Sequence, residues 1–316
     1  GSGALIDVQA GTFTGGSNAN ENWTTNLSDL NVASGAVFST VEANVRVNKI
    51  TGSGTIKTGY NGAGYQNLAI GVDNGSSTFA GVIANAESAG SLLKTGSGTI
   101  TLTGANTYTG ATNVSAGTLL INGSTSNASL VTVGLNGTLG GTGTVGGNTT
   151  ISGIHSPGNS PGIQTFTGNL SYVDAGAPGP TVNWELASNT TTVGVNPTAN
   201  FDQIIVGGNL DFTHPTIINL SFNGAGSTVL WSDSLWDANQ SWLLYDVTGL
   251  GATTNIANLN LNTINWLDSG SNLFSTAGGS FTLSKNGEDV MLNFAAVPEP
   301  STYGIALGAM ALALAA

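Results

Sequence analysis

The sequence predicts an all-β protein, a right-handed parallel β-helix whose short strands stack coil upon coil. Apolar and polar residues alternate in short runs such as TITLT at 99–103, the period of a half-buried strand. Gly- and Asn-rich turns follow these runs too closely to leave room for connecting helices. The segment TGSGTI occurs twice, at 51–56 and at 95–100. Related strand motifs recur at irregular intervals of about twenty to forty residues, which is typical of stacked coils.

The composition narrows the classes of function. Only 7% of the 316 residues are charged, the formal net charge is −12, and 47 residues are glycine. A globular domain usually has about a quarter charged residues, so this surface must consist largely of Thr, Ser, Asn and Gly. Binding to nucleic acid or to anionic lipid through phosphate neutralisation is disfavoured by the shortage of Lys and Arg. The absence of cysteine excludes disulfides, thiolate metal sites and a cysteine nucleophile.

The chain divides into four parts by composition. We expect an N-terminal cap and first coils at 1–49, where Trp23 is a packing residue. The coils with the repeated motifs follow at 50–175, and a break rich in Ala, Gly and Pro ends them. A β-rich section at 176–296 carries most of the tryptophans and is predicted to be bulkier. The last part, 297–316, is largely apolar.

The best-formed unit of the repeat lies between residues 91 and 122. We interpret 99–103, 112–115 and 118–121 as three strands, with turns between them that include Ala116 and Gly117. Lys94 is its single charged residue and Tyr108 its single aromatic one.

This unit resembles the autotransporter-associated β-strand repeat of bacterial surface and secreted proteins. The resemblance is carried by Leu92, Lys94, Gly96, Gly98, Thr99, Leu102, Gly104, Asn106, Thr107, Tyr108, Gly110, Thr112, Val114, Gly117, Thr118, Leu119 and Asn122. It implies a β-helical extracellular stalk over 50–175, secreted or on the cell surface of a Gram-negative-type bacterium. It implies no chemistry.

The C-terminal part resembles a PEP-CTERM sorting signal. Val297 is followed by Pro298, Glu299 and Pro300 and then by a short apolar stretch that would form a helix. The resemblance implies that these three residues are recognised by an exosortase-type sorting enzyme and that the segment contacts the membrane only transiently. The basic cluster that ends such signals is missing, so the segment is interpreted as incomplete. The alternative is an amphiphilic tail that packs on the coils.

The candidates for chemistry are few. The single local pair of carboxylates with aromatic neighbours consists of Asp233 and Asp237, beside Trp231 and Trp236. All four are candidate glycan contacts, although a polar loop anchored by two core tryptophans fits the same pattern better. The other Asp and Glu residues are scattered along the chain. His155 and His214 are interpreted as surface or turn residues, and no catalytic, phosphate-binding or metal motif occurs in a suitable context.

The sequence therefore predicts a structural protein of a bacterial surface or extracellular matrix, without enzymatic activity and without a cofactor or metal. Its predicted partners are the sorting enzyme and either further copies of itself, in a homo-oligomer or a filament, or neutral polysaccharide. Low charge favours self-association because it reduces repulsion between copies. The alternative function is a glycan-binding adhesin that uses the Trp-rich region at 223–266; a carbohydrate-active enzyme is the weakest of the three.

Overall fold

A computed structural model describes residues 2–14, 23, 25–40, 43–60, 66–159, 161–190, 200–262, 266–275 and 278–297. Over these ranges the protein is all-β, with 28 strands, two short 3-10 helices and no α-helix. The predicted fold class is thus confirmed at the level of an all-β protein with parallel sheets. In the part of the chain that the structure describes, no helix has the length and apolarity needed to cross a membrane.

Two small parallel sheets form the N-terminal part. The first contains β1 (Leu5–Val8), β3 (Asp29–Val32) and β6 (Ile50–Gly52). The second contains β2 (Thr12–Thr14), β4 (Val37–Ser39), β7 (Thr55–Thr58) and β10 (Val82–Asn85).

The largest sheet has 15 strands in two parallel branches that share two long strands. The shared strands are β13 (Thr112–Ile121) and β14 (Val131–Gly141). One branch adds β5 (Val45–Val47), β8 (Asn67–Ile70), β11 (Ser91–Lys94), β16 (Thr149–Ile151), β19 (Leu170–Tyr172), β22 (Leu210–Phe212) and β25 (Thr253–Thr254). The other adds β9 (Ser77–Phe79), β12 (Thr99–Leu102), β17 (Ile154–Pro157), β20 (Thr181–Glu185), β23 (Thr216–Ser221) and β26 (Leu259–Leu261).

A fourth sheet closes the C-terminal part. It contains β15 (Thr144–Val145), β18 (Ile163–Phe166), β21 (Gln203–Val206), β24 (Gln240–Val247), β28 (Asp289–Ala296) and β27 (Gly279–Asn286), in this spatial order. The pairs β24–β28 and β27–β28 are antiparallel, so the hairpin ends the parallel stacking on this side. The two 3-10 helices, Ser234–Asp237 and Ile256–Asn258, lie in the connections.

Successive passes of the chain pair in parallel with one another. Leu92 pairs with Thr112, 20 residues later, whereas Leu170 pairs with Leu210, 40 residues later. The predicted variation in spacing is therefore seen directly, and the longer passes carry larger connections. The division of the chain into four parts stays a prediction.

One local prediction was wrong. The segments 112–115 and 118–121 are not two strands separated by a turn but the two halves of β13. Gly117 has a φ of 64°, which bends the strand, and the register with β14 shifts between Val114 and Ala116. Because both halves pair with β14, hydrogen bonding continues across the bend. The sequence also gave no separate indication of β11, the strand that opens this unit.

The core consists of side chains stacked in columns from strand to strand. One column runs through the paired positions Ile100, Leu119, Leu139, His155, Val182 and Ile218, all of them fully buried. Burying an aliphatic side chain contributes about 1.5–3 kcal/mol, so such columns supply much of the stability. His155 is the single polar member of this column.

The C-terminal section has a different core, made of aromatic rings. Phe281 lies at its centre, with ring centroids 5.0 Å from Trp266, 5.1 Å from Phe294 and 5.4 Å from Phe222. Trp236 and Trp242 pack against the same ring. The bulky residues of this region therefore fill the end of the stack beside the β27–β28 hairpin.

Candidate functional site

A cleft of about 520 Å³ opens on the outer face of β17, β20 and β23. Side chains on a strand alternate between the two faces of its sheet. In β20, Trp184 therefore points into the core while Asn183 and Glu185 point outward. In β23, Asn219 and Ser221 occupy the equivalent positions because Asn183 pairs with Asn219 and Glu185 with Ser221.

The floor of the cleft is a chain of hydrogen bonds that crosses neighbouring strands. The Asn183 amide donates to the hydroxyl of Ser156 at 3.0 Å, and the Asn219 amide donates to the Asn183 carbonyl oxygen at 3.1 Å. Asn262, just beyond β26 and outside the lining of the cleft, continues the chain by donating to Asn219 at 2.9 Å. These four residues form the amide ladder. All of them are partly buried, so their side chains are held in place and still reach the surface.

Two carboxylates lie at one side of the cleft. Asp202 is 3% exposed and accepts the backbone N–H groups of Gly162 at 2.8 Å and Glu185 at 3.0 Å. Burial, together with the nearby Glu185 carboxylate, raises the pKa of Asp202 well above its ordinary value. Both oxygens of Asp202 are thus engaged in holding the loop before β18 against β20. Gly224 has no side chain, and a Cβ there would overlap the Glu185 carboxylate.

The described lining of the cleft has no positive charge, and more of its exposed surface is apolar than polar. Among the described residues that line it, none is Lys, Arg or His. Leu120 and Pro157 add apolar surface beside the amide ladder. Amides, hydroxyls and carboxylates next to apolar surface are suited to hydrogen bonding with an uncharged polyhydroxylated molecule.

The predicted glycan contacts lie elsewhere, in the connection before β24. Trp236 is 6% exposed, and its indole N–H donates to the Leu230 carbonyl at 2.8 Å. Trp231 is half-buried, 4.9 Å from the Trp236 ring. Asp233 caps the first 3-10 helix by accepting from Leu235 N–H at 2.8 Å, which lowers the pKa of Asp233.

The arrangement of these residues is that of a loop anchored by aromatic side chains. Asp237 is exposed at the end of the 3-10 helix. A role of the four residues in glycan contact stays a prediction. The sorting residues Pro298, Glu299 and Pro300, and the apolar helix predicted after them, lie outside the described residues.

His155 was wrongly interpreted as a surface or turn residue. It occupies an interior position of β17, where its Nδ1 is 2.7 Å from the Tyr172 hydroxyl and its Nε2 is 2.8 Å from Gln164 Oε1. The Gln164 amide donates to Gly140 O, so its Oε1 must accept the Nε2–H of the neutral imidazole. Tyr172 then donates to Nδ1 and accepts from Tyr245 at 2.9 Å.

This chain of buried hydrogen bonds, the histidine network, satisfies every one of its members with a neutral ring. Burial lowers the pKa of His155 to about 4, opposed by the hydrogen bond to Gln164. His214, in contrast, is a partly exposed residue in the bend before β23, as interpreted, and its Nε2 lies 3.6 Å from the Asp174 carboxylate. No group of three metal-ligating side chains occurs among the residues that the structure describes.

Lys94 is a second buried polar group with a structural role. Its side chain is fully buried, and its ammonium donates to the carbonyls of Thr95, Gly96 and Ala116 at 2.7, 2.9 and 3.0 Å. Burial lowers the pKa of Lys94 to about 8, while the three carbonyls favour the charged form. Lys94 therefore ties the turn after β11 to the bend of β13.

Comparison with known proteins gives one match within the chain. Residues 92–121 match the family model of the passenger-associated-transport-repeat. The matched segment runs from the second residue of β11 to the end of β13 and supports the predicted autotransporter-associated repeat. No curated protein matches the chain significantly.

Sequence reasoning missed the residues of the cleft. Glu185 and Asp202 were regarded as scattered because 17 residues separate them and only the fold brings them together. A usable signal was present in the segments TVNWE at 181–185 and TIINLS at 216–221. Each has a polar Asn between two apolar residues, and their alignment would have put Asn183 beside Asn219.

Proposed function

We propose that the chain is a right-handed parallel β-helix that serves as a structural stalk or filament component at a bacterial surface or in an extracellular matrix. The observation that carries the proposal is the parallel stacking of 15 strands in one sheet, with the passenger-associated-transport-repeat match at its centre. Each added coil extends such a sheet by about 4.8 Å, so a longer chain of this kind gives a longer stalk. We further propose that it has no enzymatic activity.

Self-association is the second part of the proposal. Among the described residues, β1 and β2 each have one neighbouring strand, so each leaves an edge with unpaired backbone groups. Leu5 and Phe13 on these strands are 59% and 46% exposed. A low surface charge reduces repulsion between copies that meet at such an edge.

The self-association is tested by light scattering of the purified protein over a range of concentrations. We expect assembly that grows with concentration and is reduced by Phe13→Lys, which adds a charge to an edge strand. Leu250→Lys, at a fully exposed loop position, is the matched control and should leave the assembly unchanged. A protein that remains monomeric at the highest concentration would rule this part out.

Surface sorting is the third part, and it rests on the sequence resemblance at Pro298, Glu299 and Pro300. We propose an exosortase-type enzyme as the partner and a transient contact of the tail with the membrane. The test is intact-mass spectrometry of the protein recovered from the extracellular fraction of its native host. Loss of the residues that follow the Pro-Glu-Pro sequence is expected; an intact apolar tail on the extracellular protein would contradict it.

A further inference from the structure

We infer that the cleft on β17, β20 and β23 is a binding site for an extended neutral polysaccharide, with the amide ladder as its contact surface. The inference rests on the proposed extracellular role, which gives the chain access to such polymers. It locates the contact on the face of the parallel sheet and not at the tryptophans before β24.

The ladder leaves hydrogen-bonding groups available to a ligand. Within the described chain, Asn183 and Asn219 each use one N–H and one side-chain carbonyl lone pair in hydrogen bonds to neighbouring members of the ladder. A carboxamide has two N–H groups and two lone pairs. Each residue therefore keeps one donor and one acceptor that can pair with vicinal hydroxyls. The hydroxyl hydrogen of Ser156, which accepts from Asn183, is likewise available to donate.

The spacing of these groups suits a polymer better than a single small molecule. The ladder runs from Ser156 through Asn183 and Asn219 on successive strands to Asn262, which follows β26, so it extends over about three strand spacings, about 14 Å. The ladder presents a carboxamide at three of its four steps and a hydroxyl at the fourth. The cleft volume of 520 Å³ lies within the usual range of ligand sites, about 300–1,000 Å³.

The charges select against acidic ligands. Glu185 and Asp202 line the cleft, and no described lining residue carries a positive charge. A uronate or phosphate would meet the negative field of a chain with net charge −12 without a cation to pair with. Neutral hydroxyls, in contrast, are not repelled by this field and can pair with the remaining amide groups of the ladder. The apolar surface of Leu120 and Pro157 suits the C–H face of a sugar ring.

The test is isothermal titration calorimetry of the purified protein with three neutral oligosaccharides, cellohexaose, laminarihexaose and mannohexaose. Hexagalacturonate serves as the acidic probe of equal length. We expect at least one neutral hexaose to bind and hexagalacturonate to bind more weakly or not at all. The double variant N183A/N219A should lose about tenfold in affinity, as expected when two hydrogen bonds are removed.

Two control variants and one milder ladder variant keep the interpretation specific. Asn113→Ala removes an outward-facing amide of β13 that is outside the cleft and should leave binding unchanged. Ser156→Ala is a milder change within the ladder and should weaken binding while the thermal midpoint stays close to that of the wild type. Trp231→Ala should retain full affinity.

Three outcomes would overturn the inference. The first is that none of the three neutral hexaoses binds at millimolar concentration. The second is that N183A/N219A binds as tightly as the wild type. The third is that W231A loses binding while the ladder variants retain it. None of these would affect the proposed stalk role, because self-association and C-terminal processing are measured separately.

Discussion

Acid should destabilise this protein through a single buried histidine. The neutral ring of His155 accepts from Tyr172 and donates to Gln164, so both of its nitrogens are already engaged. Protonation at Nδ1 would place a second donor against the Tyr172 hydroxyl. It would also put a positive charge in the core, where none of the hydrogen-bond partners of His155 is a carboxylate. Folding therefore opposes protonation, and lowering the pH is the natural perturbation.

The magnitude follows from the pKa shift. An unfolded His155 takes up a proton near pH 6.5, whereas the folded protein resists it until about pH 4. The stability is therefore fully present above pH 6.5 and is lost as the pH falls toward 4. Each pH unit well inside this window costs up to about 1.4 kcal/mol. Because the unfolded histidine is only half protonated at pH 6.5, the loss between pH 6.5 and 5.0 is about 1.5 kcal/mol.

The assay is chemical denaturation followed by circular dichroism at several pH values between 5.0 and 7.5. His155→Gln is the comparison variant, because an amide side chain can accept and donate without titrating. H155Q should be less stable than the wild type at pH 7.5, since it packs less well, yet its stability should fall less steeply with acid. Taking the difference between the two proteins cancels the contributions of other titrating groups, such as Asp202.

Equal pH slopes for the wild type and H155Q would refute this reasoning. That result would mean that His155 titrates alike in the folded and unfolded states, and hence that it is not held neutral in the core. A proton chemical shift of the His155 ring that titrates near pH 6.5 would lead to the same conclusion.

Three further substitutions test the packing. Lys94→Met leaves three buried carbonyls without their donor and should lower the free energy of unfolding, measured with denaturant, by about 1–3 kcal/mol. Lys57→Met, at an exposed position of β7, is the control and should leave it nearly unchanged. Gly117→Ala should lower the free energy of unfolding by more than about 1 kcal/mol, because the φ of Gly117 is 64° and a Cβ would overlap the Gly96 carbonyl. Gly134→Ala is the control: a Cβ there would lie 3.6 Å from the nearest atom, so the thermal midpoint should change little. Phe281→Ala should cost about 3–5 kcal/mol and reduce the near-UV circular dichroism of the surrounding tryptophans.

Each of these predictions has a result that would contradict it. A K94M protein as stable as K57M would show that the ammonium is not needed by the turn. Equal effects of G117A and G134A would contradict a special backbone conformation at Gly117. For Phe281, a loss no larger than that of Phe13→Ala, at an exposed position, would mean that the aromatic cluster is not a core.

Local patterns were sufficient to predict an all-β protein with parallel sheets. The alternation in 99–103 and the recurrence of TGSGTI required stacked strands, and Ile100 and Leu102 are fully buried as that alternation predicts. The bend in β13 was misinterpreted because Ala116 and Gly117 have turn chemistry, and only the pairing with β14 keeps them within one strand.

Features that depend on contacts between distant coils were not accessible from local patterns. His155 looked like a turn residue because Ser156, Pro157 and Gly158 follow it, yet its paired neighbours Leu139 and Val182 make its position interior. The cleft depends in the same way on the register of β20 and β23, which connections of variable length conceal. Register, rather than residue type, determines which polar side chains meet.

The stacked architecture supports both the proposed stalk and the proposed polysaccharide site, and one distance tests it directly. Successive partners across one sheet are Thr99, Thr118, Thr138, Ile154, Thr181 and Ile217. Thr99 and Ile217 are therefore five strand spacings apart, about 24 Å. The chain has no cysteine, so T99C/I217C introduces the two sole sites for spin labels. Double electron–electron resonance should give one narrow distribution near that distance. A much longer distance, or a broad distribution, would contradict the stacked parallel fold.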